Sequence, residues 1–286
     1  MSLDIEHLRG WIGREERTED VATAAPARGL AATLDRDDPP PRGGDALPPL
    51  SHWLYFLPAH RQSDIGPDGH ARRGGFLPPV PLPRRMWAGS RLDFLAPLRV
   101  GQAITRTSRI ADVNVREGRT GTLVFVKVEH AIHADGALAI RDHHDIVYRD
   151  LPSPADTTAN ASPRIAAPTD ATWTRCITPD DVLLFRYSAL TFNGHRIHYD
   201  RAYVTGVEGY PGLIVHGPLI ATLLLDLLRR ELPDAVVRGF SFKAVAPTFD
   251  TAPFFVCGRH DDGSTVRLWA RDADGQLAME AIATLA

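Results

Sequence analysis

The sequence predicts an α+β chain: two antiparallel sheets, each wrapped around one central helix. Three observations lead there. From Met86, and again from Val236, four runs rich in β-branched and aromatic residues follow one another with glycine-containing turns between most of them. The stretch Leu219 to Leu228, LIATLLLDLL, is apolar almost all round a helix, which suits burial against a sheet. The halves also repeat: Gly89-Ser-Arg-Leu-Asp-Phe-Leu-Ala-Pro97 matches Gly239-Phe-Ser-Phe-Lys-Ala-Val-Ala-Pro247 in the spacing of glycine and proline, and PARGLAATLDR corresponds to GPLIATLLLDLLRR.

Taken in order, Leu3 to Thr18 reads as a short amphipathic helix or turn, with Ile5, Leu8, Trp11 and Ile12 at helical spacing. Pro26 to Leu34 is an Ala/Leu-rich helix with proline near its first turn, where the missing N–H costs little. DRDDPPPRGGDALPPL cannot continue it and is a loop. Ser51 to Pro58, SHWLYFLP, reads as an aromatic strand. His60 to Arg85 is a long Gly/Pro/Arg-rich loop, of the kind that is usually functional or disordered. Then come RMWAGSRLDFLAP, QAITRTSRIADVNVREG, GTLVFVKVEHAIHADG and LAIRDHHDIVYRD as strands. LPSPADTTANASPRIAAPTDAT lacks periodicity and reads as a linker, giving repeats over 1–150 and 173–286 joined by 151–172. In the second half, Thr178-Pro179-Asp180-Asp181 is a helix-start signal, and VVRGFSFKAVAP, PFFVCGRHDDG, TVRLWARDADG and QLAMEAIATLA are its strands.

Composition narrows the function. A formal net charge of −3 argues against a general nucleic-acid binder, leaving local clusters such as Arg84-Arg85 as anion contacts. No apolar run approaches the roughly 20 residues that cross a bilayer. MSLDIEHLRGWIGREERTED has no apolar signal core, so a cytoplasmic location is expected. Cys176 and Cys257 lack metal-type spacing and read as two buried thiols.

The densest chemistry lies in FRYSALTFNGHRIHYD, residues 185–200, which places Asn193, His195 and His198 together before a Gly/Pro turn into His216-Gly217-Pro218. Imidazoles beside a helix start with free backbone N–H groups could bind and polarise a carbonyl. Without further context, histidines in a polar loop are more often structural than catalytic. His143-His144 lack an evident partner and read as structural. His195 and His198 could pair on zinc, but no further ligand is evident, so no metal site is expected.

FRYSALTFNGHRIHYD followed by GLIVHGPLIATLLLDLL resembles the MaoC-like hydratases and dehydratases, double-hotdog proteins. The likeness is strongest to the branch of mitochondrial-type 3-hydroxyacyl-thioester dehydratases and bacterial mesaconyl-C4-CoA or itaconyl-CoA hydratases. WIGREERTEDV, LAATLDRDDP, LPPLSHWLYFLP and PLPRRMWAGSRLDF look like that branch's degenerate N-terminal hotdog, so nearly the whole chain is covered. The general motif sets an aspartate five residues before a histidine, with asparagine-proline between. Here His198 and Asp200 match, while Asn193 stands in the aspartate slot, His195 in the asparagine slot and Arg196 in the proline slot. Asparagine cannot exchange a proton at physiological pH, so Asn193 departs from the two-group acid/base scheme, a departure that looks like a character of this branch and not of a dead site.

The resemblance implies a hydro-lyase acting on an enoyl-CoA thioester, with mesaconyl-C4-CoA or itaconyl-CoA hydrated to citramalyl-CoA. A fatty-acid-type 3-hydroxyacyl-thioester dehydratase is the alternative within the class. A non-catalytic acyl-CoA binding module is the alternative outside it, and a thioesterase is a weaker rival. On this reading His198 is the general base/acid, Asn193 holds the attacking water, and His195 is a second proton carrier or an orienting group. The Gly217 N–H polarises the thioester carbonyl, and His216 shapes the turn beside the substrate. A substrate carboxylate calls for a bidentate arginine, with Arg186, Arg196, Arg201, Arg84 and Arg85 as the choices. CoA is part of the substrate, no other cofactor is implied, and a homodimer is compatible with the reading.

Overall fold

A computed structural model describes residues 3–118, 121–150 and 164–286. Ten strands form one antiparallel sheet: β1 (Glu15–Val21), β2 (Arg84–Phe94), β3 (Ala103–Gly118), β4 (Gly121–Ala134), β5 (Ala137–Arg149), β6 (Trp173–Ile177), β7 (Val237–Ala244), β8 (Phe254–Asp262), β9 (Thr265–Arg271) and β10 (Leu277–Leu285). Their order is β1-β3-β4-β5-β2-β7-β10-β9-β8-β6, so the second five repeat the first five in reverse. The halves join where β2 pairs with β7. Arg91 sits opposite Ser241, Gly89 opposite Lys243 and Asp93 opposite Gly239. Each residue of that ladder faces the residue matched to it, or to its symmetry mate, in the Gly-to-Pro repeat. Gly89 also permits the close approach, because a Cβ there would stand 2.4 Å from the Phe242 carbonyl oxygen.

Five helices accompany the sheet: α1 (Ile5–Arg9), α2 (Ala24–Thr33), α3 (Asp181–Leu190), α4 (Arg201–Gly206) and α5 (Gly217–Glu231). The predicted start of α3 is made by Asp180, whose side chain accepts from the Leu183 N–H at 2.8 Å. Every residue of α5 from Leu219 to Leu228 is buried, and the helix packs against β6, β8, β9 and β10. Burying each leucine there stabilises the fold by roughly 1.5–3 kcal/mol before ordering costs. One core cluster runs from α2, through Leu50, Leu54, Tyr55 and Phe56, to α5 and the second half of the sheet.

Several expectations need correction. Ser51–Leu54 is a 3-10 turn and not a strand: prolines precede it, and Leu50 and Phe56 on either side take positive φ of 69° and 54°, so the segment wedges into the core. Residues 15–21, EERTEDV, form an edge strand whose charges hide its strand character. Only Ile5–Arg9 of the N-terminal stretch is helical. Cys257 is buried but Cys176 is exposed. Residues 151–163 of the expected linker lie outside the described residues. Residues 164–172 lie along the second half, with Arg164 paired to Asp272 and Asp274 at 2.9 Å each and Ala166 bridged to Gln276. His143 and His144 do have partners: His143 approaches Glu129 at 3.6 Å, and His144 packs on Trp87 with ring centroids 3.9 Å apart.

An ionic cluster locks the halves together. Asp226, buried on α5, receives Arg36 at 2.9 Å, Arg175 at 2.7 Å and Arg230 at 2.8 Å. Arg36 comes from the loop after α2, so this carboxylate bridges both halves of the chain.

Candidate active site

The loop after α3 ends in a tight turn. The Asn193 side-chain oxygen accepts the His195 N–H at 3.0 Å, which turns the chain so that His195 and His198 point into the protein. Asp200 then caps α4 by accepting the Tyr203 N–H at 3.0 Å. Two histidines stack face to face. His198 lies over His216 with centroids 3.7 Å apart and planes 18° from parallel, and His195 meets His198 edge-on at 5.5 Å.

The tautomer of His198 follows from its partner. Nδ1 stands 2.6 Å from the Ile214 carbonyl oxygen, which can only accept, so Nδ1 carries the proton and Nε2 presents a lone pair. Burial pulls the His198 pKa down to about 4, partly offset by that carbonyl. The ring is therefore neutral at pH 7, as a base must be. Burial also lowers the pKa of His195, with His70 and His198 adding to the effect, and that of His216.

His216 is almost wholly buried beneath His198, and its Nε2 lies 2.8 Å from the Ser188 hydroxyl. In this position His216 stacks on the His198 ring and supports it. Gly217 is the first residue of α5 and Pro218 the second, so the Gly217 N–H is an unpaired donor at the positive end of the helix dipole among the described residues.

The arginines sort by what already holds them. Arg84 is buried, donates to Glu208 Oε2 at 3.0 Å, and lies over the Tyr210 ring. Arg196 donates to Asp200 Oδ2 at 2.7 Å and to the Pro67 carbonyl at 2.9 Å, with its guanidinium over Tyr203. Arg201 pairs with Asp181 and Asp250. Arg186 is exposed on α3, away from the face of Leu184, Tyr187 and Ser188 that packs inward. Three of these four are thus engaged by protein partners, and Arg186 faces outward. Arg85 differs. Among the described residues neither it nor Arg186 has a carboxylate within ion-pair distance, but Arg85 lies inward, where its charge acts on His70 and His195 as well as on His144 and Tyr148.

The largest omission of the sequence reading is a segment of the first half. The turn at residues 66–70 lies against the Asn193–Asp200 loop. The Arg196 N–H donates to the Asp68 carbonyl at 2.9 Å, and Gly69 touches Gly194 so closely that a Cβ would come within 1.8 Å of its carbonyl oxygen. Gly69 has φ of +89°, a conformation that favours glycine. His70 is thereby laid against His195, with centroids 3.9 Å apart. The His70 Nδ1 lies 3.1 Å from Asp68 Oδ2. Burial and the neighbouring Arg85 outweigh Asp68 and lower the His70 pKa to about 4. Burial alone would raise the Asp68 pKa, but hydrogen bonds and charge from His70 hold it well below the usual carboxylate range. At pH 7 Asp68 is an anion beside a neutral imidazole. Ligand-capable atoms of Asp68, His70 and His195 lie within 4.8 Å of one another, correcting the expectation that no further ligand stands near the histidine loop. No sequence signal marked this turn beyond its place in a long Gly/Pro/Arg-rich loop.

Comparison with known proteins bears on the family and the fold. Residues 50–250 match the family model of hydroxyacyl-thioester dehydratase type 2. The chain is 47% identical to a mesaconyl-C(4)-CoA hydratase of Chloroflexus aurantiacus, over 96% of each chain. It is 26% identical to a mitochondrial hydroxyacyl-thioester dehydratase type 2 of Schizosaccharomyces pombe, covering 74% of this chain and 77% of the relative. A double-hotdog protein of Mycobacterium tuberculosis superposes with a TM-score of 0.60 at 13% identity, over 96% of each chain, which speaks for the fold alone. With the symmetric ten-stranded sheet and the histidine loop ahead of a buried helix, the chain is a double-hotdog hydro-lyase and belongs to the hydroxyacyl-thioester dehydratase type 2 family.

Proposed function

We propose that this chain adds water to a short enoyl-CoA that carries a free carboxylate, mesaconyl-C4-CoA being the leading substrate. The 47% identity to a mesaconyl-C(4)-CoA hydratase carries the reading, and Arg85 is the residue we assign to the carboxylate. In mesaconyl-C4-CoA the carboxylate sits on the β-carbon that water attacks. A cation that reads it must therefore stand beside the imidazoles that handle the water, and Arg85 acts on two of them while lacking an ion-pair partner among the described residues.

The roles follow from geometry. His198 Nε2 takes one proton of the water as its oxygen bonds to the β-carbon. The electron pair of the double bond moves toward the thioester, and the Gly217 N–H steadies the charge on the thioester oxygen. The proton held by His198 then passes to the α-carbon, which returns the ring to its neutral state. Asn193 shapes the loop through its oxygen and has its amide N–H groups left to hold water. His195 lies between His198 and His70 and orients both. Repeats over 1–150 and 173–286 joined by 151–172, a cytoplasmic setting, a homodimer, and no cofactor beyond the CoA of the substrate complete the proposal.

The test is hydration of mesaconyl-C4-CoA and itaconyl-CoA beside crotonyl-CoA, followed by loss of enoyl absorbance, product mass and thiol release. A gain of one water on the dicarboxylic substrates, with crotonyl-CoA poor, is expected. Preference for crotonyl-CoA would move the chain to fatty-acyl chemistry. Thiol release would make it a thioesterase, and binding without turnover would make it a sensing module.

A further inference from the structure

Position 193 leaves a gap in the site. A water that is to be aimed at a carbon needs its hydrogens held by two acceptors, so that a lone pair points at the target. His198 Nε2 supplies one. The Asn193 side-chain oxygen is held in the turn by the His195 N–H at 3.0 Å and keeps a single lone pair, fixed in direction by that bond. The carboxylate of the catalytic loop itself, Asp200, is taken by Arg196 and the Tyr203 N–H.

We propose that the first repeat completes the site: His70 Nε2 accepts the second hydrogen of the attacking water, and Asp68 fixes the ring so that this nitrogen is the acceptor. This deepens the hydratase reading and rests on it. Three observations carry it. The turn at 66–70 is built onto the catalytic loop through the Arg196 N–H to Asp68 carbonyl bond at 2.9 Å, the Arg196 side-chain bond to the Pro67 carbonyl at 2.9 Å, and the Gly69–Gly194 contact. His70 lies on His195 at 3.9 Å, and His195 meets His198 at 5.5 Å, so the two lone-pair nitrogens belong to rings flanking a common neighbour. Asp68 Oδ2 stands 3.1 Å from Nδ1, and an ionised carboxylate can only accept, so the proton of neutral His70 sits on Nδ1. Asp68 is a positioning residue; His70 touches the water.

The step balances without a further reactant. One water hydrogen goes to His198 Nε2 and from there to the α-carbon. The hydrogen held by His70 stays on oxygen as the product hydroxyl, and a C–O bond replaces the π bond. In dehydration the same contacts hold the departing hydroxyl. The groups acting on His70 are Asp68, Arg85 and Arg73, and His195 and His198 lie beside it. Two guanidinium charges make the spot unfavourable for a metal cation, although Asp68, His70 and His195 are close enough to reach one.

The experiment compares wild type, His70→Gln, His70→Gly and Asp68→Asn, measuring kcat, KM and thermal melting on the best enoyl-CoA. An asparagine at 68 can donate to Nδ1, which moves the ring proton to Nε2 and presents a donor where an acceptor is needed. Exchange of this kind in a Ser-His-Asp triad costs about 10⁴-fold. Asp68→Asn and His70→Gln are expected to lower kcat at least 30-fold with KM and melting little changed, and free imidazole should restore part of the His70→Gly activity. Either substitution within threefold of wild type, in a folded protein, overturns the proposal. If the His70 variants fail to fold, Asp68→Asn decides alone. Loss of wild-type activity on chelation and its return with zinc would replace the proposal with a metal centre. Wild type silent on every enoyl-CoA would sink the hydratase reading itself, whereas active wild type with unaffected variants would sink only this inference.

Discussion

Replacing Gly69 by alanine tests whether the first repeat presses on the catalytic loop. The new Cβ would stand 1.8 Å from the Gly194 carbonyl oxygen, 2.7 Å from the Gly194 carbonyl carbon and 3.2 Å from the His195 Cα. Real Cβ contacts essentially never fall below 3.0 Å, so one loop must retreat by more than an ångström. The φ of +89° adds strain of about 1–3 kcal/mol for any residue with a side chain. Misplacing a reacting group by about 1 Å can cost about 10²-fold in rate. Gly69→Ala is therefore expected to lose about 100-fold in kcat on the enoyl-CoA, with a melting point a few degrees lower. Gly101→Ala is the control: Gly101 has φ of +95° but nothing within 4 Å of an added Cβ. It should show the loss of stability without the loss of rate. Both readouts come from enoyl absorbance and a thermal melt. Gly69→Ala within threefold of wild type would refute the close packing, and with it the delivery of His70 to the site.

The remaining predictions concern chemistry, selectivity and stability. His198→Ala should lower kcat by about 10²–10⁴-fold while the protein melts as a folded chain; a near-wild-type rate would remove His198 from the mechanism. Arg85→Met should cost about 10–150-fold in kcat/KM on mesaconyl-C4-CoA, the worth of a charged hydrogen bond, and little on crotonyl-CoA; equal losses on both would show that Arg85 does not read the carboxylate. His70, His130 and His198 have pKa values pulled to about 4, and His144 to about 3, from 6.5. Between those limits the unfolded chain binds more protons than the folded one, so stability should fall as pH drops from about 6.5 toward 4 and hold above neutrality. Chemical denaturation across pH checks the sign, and stability rising on acidification would contradict it. Asp226→Ala leaves three guanidinium groups without their buried carboxylate and should destabilise the fold by about 3 kcal/mol, lowering the melting point by about 10 °C.

Local rules carried much of the fold. The four strands of each half, Asp180 as a helix cap and the buried run of α5 each follow from residues close together in the sequence, through alternation, capping and apolar surface. The two copies of the Gly-to-Pro repeat are the strands that pair at the centre of the sheet, a joint that the repeat by itself did not locate. Charged edge strands escaped for the opposite reason: residues 15–21 bury little, so no apolar pattern marks them. Asp226 shows the same limit from inside: Arg230 is its i,i+4 neighbour on α5, but Arg36 and Arg175 come from distant elements, and only folding makes them one cluster.

The same division runs through the site. Asn193, His195, His198 and Gly217 lie on one continuous stretch, so their types and spacing were legible in the sequence. Which arginine lies near the histidines was not, because all five carry the same charge in the sequence, and only the structure engages Arg84 with Glu208, Arg196 with Asp200 and Arg201 with Asp250. Asp68 and His70 were invisible for a deeper reason: more than 120 positions and a whole repeat separate them from the loop they contact. Their nearness to His195 depends on contacts across the halves, the Gly69–Gly194 approach and two hydrogen bonds from Arg196, which no local pattern encodes. Sequence set the chemistry available; packing decided which groups share one water.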